Sequence, residues 1–250
     1  MSDALLQVSG LSKSFGAVQA SRNLSLDIRQ GEIHALIGPN GAGKTTAIKQ
    51  LAGEILPDEG SIVFNGMEIA HLPAQQRARL GLARSFQITS VFEQLSVEEN
   101  LALAVQAHQG HSFRFWRPAR KDPALQAPAR SALEHCGLEA RADMLAGNLS
   151  HGEKRQLDVG MALAGNPKLL LLDEPMAGMG PGGTVKLSEL ILSLKGSVSI
   201  LLVEHDMDVI FSLADRITVL VYGESIATGT PDEIRGNSDV QRAYLGGVRD

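Results

Sequence analysis

Glu32-Ile-His-Ala-Leu-Ile-Gly-Pro-Asn-Gly-Ala-Gly-Lys-Thr-Thr46 decides how this 250-residue chain is read. A strand that turns apolar toward its end, Glu32 to Ile37, runs directly into Gly38-Pro39-Asn40-Gly41-Ala42-Gly43-Lys44-Thr45-Thr46. A helical pattern then continues to Leu51, and Gly53 and Pro57 close it. The loop meets the phosphate-loop pattern at every specified position, with a strand before it and a helix after it. Its glycines let backbone N–H groups converge on a β-phosphate. Lys44 reaches the β- and γ-phosphates, Thr45 offers a hydroxyl to Mg²⁺, and Thr46 reaches the α-phosphate.

Strands and helices alternate outward from this loop. Upstream, Leu5 to Val8 and Leu24 to Ile28 alternate as short strands. Downstream, Ser61 to Phe64 is a strand followed by the tight turn Asn65-Gly66. Lys168 to Leu172 and Val198 to Val203 read as buried strands, and Ile217 to Val221 as a strand before Tyr222-Gly223. Val185 to Leu194 and Asp206 to Ala214 read as helices. Central strands that are wholly apolar argue a parallel sheet covered on both faces, so the fold class is α/β. The early alternating strands imply a small antiparallel sheet beside it. Between about Ser96 and Leu145 the character changes: Val97 to Val105 and Ala129 to Cys136 are helical, and His108 to Pro128 is rich in Arg, Pro and aromatics. This section reads as an inserted helical subdomain.

Composition excludes little and favours the ordinary. Hydrophobic residues are 44% and charged residues 20%, and the formal net charge is −5, which gives no sign of nucleic-acid binding. The single Cys136 excludes an intrachain disulfide and a cysteine metal cluster, and reads as a small buried hydrophobe. The opening residues lack a basic region followed by a long apolar run, so no secretory signal is expected. No apolar run reaches the ~20 residues needed to span a bilayer.

Three further stretches carry chemistry. Leu169-Leu-Leu-Leu-Asp-Glu174 delivers two carboxylates to the C-terminal edge of a buried strand, where open α/β sheets bind ligands. Asp173 would hold Mg²⁺, and Glu174 would polarise an attacking water. Leu149-Ser-His-Gly-Glu153 reads as a helix start in which Ser150 caps and Glu153 sits three residues on, and such a terminus accepts an anion. Gln87 by itself reads as a surface glutamine, although its amide oxygen could join a Mg²⁺ shell. His205, after another buried strand, reads equally as a helix cap or as a donor to a γ-phosphate.

In this order the elements resemble the ABC transporter ATPase family over essentially the whole chain. Gly38 to Thr45 resembles the Walker A motif, Gln87 the Q-loop glutamine, Leu149 to Glu153 the signature, Leu169 to Glu174 Walker B, and His205 the switch histidine. Phe15, in Lys13-Ser-Phe-Gly16, matches the aromatic that stacks on adenine. The resemblance implies one ATP-binding domain over 1–250. Residues 1–95 and 165–250 form a RecA-like core with its antiparallel sheet, and 96–164 form the helical subdomain ending in the signature helix. It implies ATP and Mg²⁺ as cofactors, with Thr45, Gln87 and Asp173 on the metal. It also implies head-to-tail pairing with a second ATPase, in which Ser150 and Gly152 cover the partner's γ-phosphate. Two departures stand out: the signature carries His151 and Glu153 where relatives have Gly and Gln, and Gly180 stands where many relatives carry Asp.

Gly81 to Gln87, Ala177 to Met179, Val203 to Met207, Gly229 to Arg235 and Arg242 to Gly246 resemble the ATP-binding subunits of branched-chain amino acid importers. That branch implies two transmembrane permeases, a second ATPase and a periplasmic binding protein, with this chain peripheral on the cytoplasmic face of the inner membrane. Importers of urea and short amides share Leu149 to Gly152, and lipopolysaccharide exporters share the tail. Soluble ABC ATPases acting on DNA or ribosomes usually carry two halves or a long coiled coil, and neither is seen here. The basic, aromatic His111 to Lys121 reads as a surface loop on the helical subdomain, with contact to a permease as the alternative.

Overall fold

The computed structural model describes residues 4–85, 91–109 and 123–245. Its N-terminal hairpin is β1 (Ala4–Phe15) against β2 (Val18–Arg29), each more than twice the length that alternation alone marks. The pairing register shifts between Val8 and Leu11 and again by Ser14, and Gly10 sits at φ +64°. These bulges break the alternation without ending the strand. β4 (Glu59–Phe64) pairs with β1, and β5 (Met67–Glu68) returns after Asn65-Gly66, both at positive φ as a two-residue hairpin turn requires. The resulting antiparallel sheet runs β2-β1-β4-β5.

The second sheet has the order β10-β9-β3-β8-β7-β6. It comprises β3 (Ile33–Ile37), β6 (Leu82–Arg84), β7 (Leu169–Asp173), β8 (Ser199–Val203), β9 (Arg216–Val221) and β10 (Glu224–Gly229). All neighbours are parallel except β10 on β9. β3, β7 and β8 are buried at every position, which is why they read as continuous apolar runs. Side chains alternate between the two faces. Leu169 and Leu171 of β7 face α1 (Lys44–Ala52) and the antiparallel sheet, packing with Ile48, Leu51 and Phe64. Leu170 and Leu172 face the opposite cluster.

That opposite cluster contains α3 (Val97–Gln109), α4 (Pro123–His135), α5 (His151–Leu163) and α6 (Pro181–Leu194), through Leu101, Val105, Leu133, Leu157 and Ile191. Helix α4 begins ahead of Pro128, inside the His108 to Pro128 stretch rich in Arg, Pro and aromatics. Cys136 is buried beside Gly160, where a Cβ would lie 3.0 Å from its sulfur, and burial pushes the thiol up to about 12. It acts as the small hydrophobe expected. Ala74–Arg79 forms α2, Met207–Leu213 forms α7, Pro231–Gly236 forms α8 and Ser238–Leu245 forms α9. Among the described residues no helix is long and apolar enough to cross a membrane.

Candidate functional site

The loop between β3 and α1 lies at the C-terminal edge of the parallel strands, hemmed in by other backbone. A Cβ on Gly38 would stand 2.1 Å from the Leu220 carbonyl oxygen, and one on Gly43, at φ +102°, 2.2 Å from that of Ala20. Only glycine fits at either position. Gly43 is the N-cap of α1 and brings no side chain to its N–H groups, so the helix opens toward the loop uncapped. Lys44 is buried, and its ammonium donates to the Gly38 and Pro39 carbonyls at 2.7 and 3.1 Å. Burial lowers its pKa, while the charges of Glu174 and Asp173 oppose that shift. The field across the site therefore couples the loop lysine to both carboxylates. Thr45 is exposed at the helix mouth and Thr46 half-buried behind it.

Asp173 ends β7 and is 2% exposed. Its Oδ2 accepts from Arg84 Nη2 at 3.1 Å, and its Oδ1 has no partner among the described residues. Burial raises its pKa, against the lowering effect of Arg84. A buried carboxylate with one oxygen open among the described residues suits a hard divalent cation. Glu174 follows at φ +48°, a left-handed conformation that a side chain adopts only when its surroundings enforce it. Here the Glu174 N–H donates to the Val203 carbonyl at 2.9 Å, and its own carbonyl accepts from Ala177 at 3.2 Å. This bend lifts the half-buried carboxylate off the strand axis.

Glu204 directly follows β8 and lies within reach of the Glu174 charge. It is 2% exposed and accepts from the Met176 and His205 N–H groups at 2.8 and 3.3 Å. Burial raises its pKa, and these two bonds partly offset the rise. The carboxylate thus ties the turn after Glu174 to the His205 backbone. His205 itself is exposed, with Nδ1 3.8 Å from Glu204. The cap of α7 is Asp206, whose carboxylate accepts from Asp208 and Val209, so the helix-cap alternative for His205 does not hold.

Ser150 caps α5 in a complete capping box. Its hydroxyl accepts from Glu153 N–H at 3.3 Å and donates to the Glu153 carboxylate at 2.8 Å. Arg141 pairs with the other Glu153 oxygen at 3.1 Å. Glu153 therefore turns back along its own helix. His151 Nε2 lies 3.3 Å from the Ala177 carbonyl oxygen, and a Cβ on Gly152 would meet Met179 at 3.3 Å. The start of α5 thus rests on the Ala177–Gly180 turn of the same chain.

A family model described as ABC transporter matches residues 21–177, which hold the loop, the α5 start and both carboxylates. The chain belongs to the ABC transporter family. A second model, described as a branched-chain amino acid ATP-binding cassette transporter, matches 224–250. The high-affinity branched-chain amino acid transport ATP-binding protein LivG of Salmonella typhimurium is 42% identical over 255 residues, 98% of this chain and 99% of that protein. Its Escherichia coli K12 counterpart is 40% identical over the same shares. The ADP conformation of an ATP-binding cassette from an ABC transporter superposes with a TM-score of 0.86 at 27% identity, covering 97% of this chain and 99% of that one. The fold is that of an ABC ATPase, with its parallel sheet, flanking helices and antiparallel sheet.

Within this cassette, Phe15 closes β1 at 49% exposure, with the Lys13 ammonium over its ring, 5.7 Å from the centre. Gly180 is the N-cap of α6 and offers no side-chain cap, and a Cβ there would meet nothing within 4 Å. The departure from Asp removes a group without being forced by crowding. Gln87 and the His111 to Lys121 segment lie outside the described residues. Sequence reasoning missed Arg84 and Glu204. Both stand in stretches quoted for other residues, and each was legible only as a charged residue ending an apolar run.

Proposed function

We propose that this chain is the ATP-hydrolysing motor subunit of an importer for branched-chain amino acids. It would sit on the cytoplasmic face of the membrane with two permeases, a second ATPase and a periplasmic binding protein. The observation that carries the enzymatic part is the convergence of Lys44, Asp173 and Glu174 at one sheet edge. The match over 224–250 and the 42% identity to a branched-chain amino acid transport protein support the substrate class.

ATP's phosphates are received by the glycine loop and the open mouth of α1. Lys44 exchanges the Gly38 and Pro39 carbonyls for phosphate oxygens, and the Phe15 ring stacks on the adenine. Thr45, Asp173 and Gln87 would hold Mg²⁺, which would supply positive charge against the phosphates. Glu174 takes the proton of the attacking water, and His205 donates to the γ-phosphate. Ser150 and Gly152 serve the ATP of the facing ATPase. Residues 96–164 act as the helical subdomain that carries this helix start toward the partner.

Glu174→Gln should keep ATP binding and lower hydrolysis by roughly 10²–10⁴-fold, and normal turnover would refute the base role. That variant, trapped with ATP in its native membranes and purified, tests the assembly. A second ATPase and two distinct permeases support the importer. Two copies of this chain on one permease pair favour the exporter reading, for which a lipopolysaccharide export protein of Escherichia coli K12, LptB, is 34% identical.

A further inference from the structure

We infer that Arg84 is a built-in stand-in for the metal: its guanidinium holds the Asp173 carboxylate in the metal-free chain and competes with the divalent cation for it. The inference rests on the reading of Asp173 as the metal carboxylate. A carboxylate this deeply buried needs a positive partner at all times, because an unpaired buried charge costs several kcal/mol. Among the described residues, the cation hydrogen-bonded to Asp173 is Arg84.

The pair is made to be broken. Arg84 reaches Asp173 by one bond of 3.1 Å from Nη2, not by a two-pronged fork, and its buried Nε has no acceptor among the described residues. Its Nη1 already holds a second carboxylate, Glu54, on the turn after α1. A guanidinium that lets go of Asp173 therefore keeps a counter-ion, and no charge is stranded. The free Oδ1 of Asp173 lets an arriving cation engage before Arg84 has left, so the exchange needs no bare intermediate.

The arginine stands at the end of β6, opposite Leu171 of β7, and the next N–H, that of Ser85, donates to the Leu171 carbonyl at 3.0 Å. Gln87 follows three residues after Arg84 in the chain. Arg84 is a positioning residue, since it acts on the metal through Asp173 and does not touch the reacting atoms.

Mn²⁺, titrated into the full chain with ADP present and followed by electron paramagnetic resonance, tests this without recourse to turnover. Arg84→Gln should bind Mn²⁺ about 5-fold more tightly or better, the scale of ordinary site-to-site coupling. Equal or weaker binding in Arg84→Gln overturns the proposal. Arg84→Met gives the same comparison should the glutamine variant prove unstable. Asp173→Asn separates the two layers. If it leaves Mn²⁺ affinity at the wild-type value, the assignment of Asp173 fails. If it abolishes binding while Arg84→Gln changes nothing, only the competition fails.

Discussion

Arg77→Met would remove the residue that holds the far end of the phosphate-loop helix. Arg77 lies in α2 and is fully buried, yet it has no carboxylate at hydrogen-bonding distance among the described residues. Its guanidinium spans four carbonyls: Gln50 and Leu51 at the end of α1, at 2.7 and 2.8 Å, and Ala70 and Leu72 of the following loop, both at 2.8 Å. The last carbonyls of a helix have no partners within it, and they carry the negative end of its dipole. A cation there satisfies both needs. Burial pushes the guanidinium down to about 10, which still leaves it charged at neutral pH.

Methionine fills a similar volume and donates nothing. The Leu51 carbonyl would stay buried and unmet, at about 1–3 kcal/mol, and that of Gln50 would keep only its 3.2 Å bond from the Gly53 N–H, while water can reach those of Ala70 and Leu72. The expected loss is about 2–4 kcal/mol, a large share of the ~5–15 kcal/mol typical of a folded domain. In a chain of this size that lowers Tm by roughly 10 °C. Urea unfolding read by fluorescence and circular dichroism gives the value. Arg77→Lys, with three donors on a narrower head, should recover about half. A loss below ~1 kcal/mol in Arg77→Met would refute the argument, because it would mean the four carbonyls find other partners without strain.

Three more perturbations test the site and its surroundings. Lys44→Ala should weaken ATP binding at least ~10-fold by calorimetry, about 1.4 kcal/mol, and unchanged affinity would remove the lysine from phosphate binding. Ser150→Ala should spare ATP binding by the isolated chain, impair the assembled complex, and destabilise α5 by ~1 kcal/mol through loss of the capping box; lost binding in the lone chain would contradict service to a partner. Asp27 is bridged by both terminal nitrogens of Arg216, at 2.8 and 3.0 Å, and this hydrogen-bonded pairing lowers its pKa below 3.8. A lowered acid binds fewer protons folded than unfolded, so its stabilisation is present above the unfolded value and lost as pH falls through the folded one. The stability gap between wild type and Asp27→Asn should therefore close on acidification below that range. A gap unchanged down to pH ~2 would exclude the ion pair as its source.

The phosphate loop, the strand ending in Asp173-Glu174 and the capping box at Ser150 were legible because each is a contiguous stretch with its own local physics. Glycine spacing, an unbroken apolar run and a hydroxyl three residues before a carboxylate need no knowledge of distant chain. The length of the first hairpin was hidden because the bulges near Gly10 break the alternation that marks a strand. Helix α2 was hidden because Ala74–Arg79 has no apolar stripe; its buried member is an arginine, which a sequence reading places in solvent. His205 stayed ambiguous between cap and donor until Asp206 was seen to hold the helix start.

The sequence by itself determined the order of elements, the presence of a phosphate loop and the two carboxylates beyond a buried strand, since these depend on neighbours within one turn or one strand. Tertiary structure alone decided which charges meet. Arg84 stands 89 positions before Asp173, and parallel pairing of β6 with β7 closes that gap to 3.1 Å. Glu204 reaches across from β8 to Met176 in the same way. Strand order in the sheet sets such contacts. It is fixed by burial of both sheet faces together, a property of the whole chain that no single stretch carries.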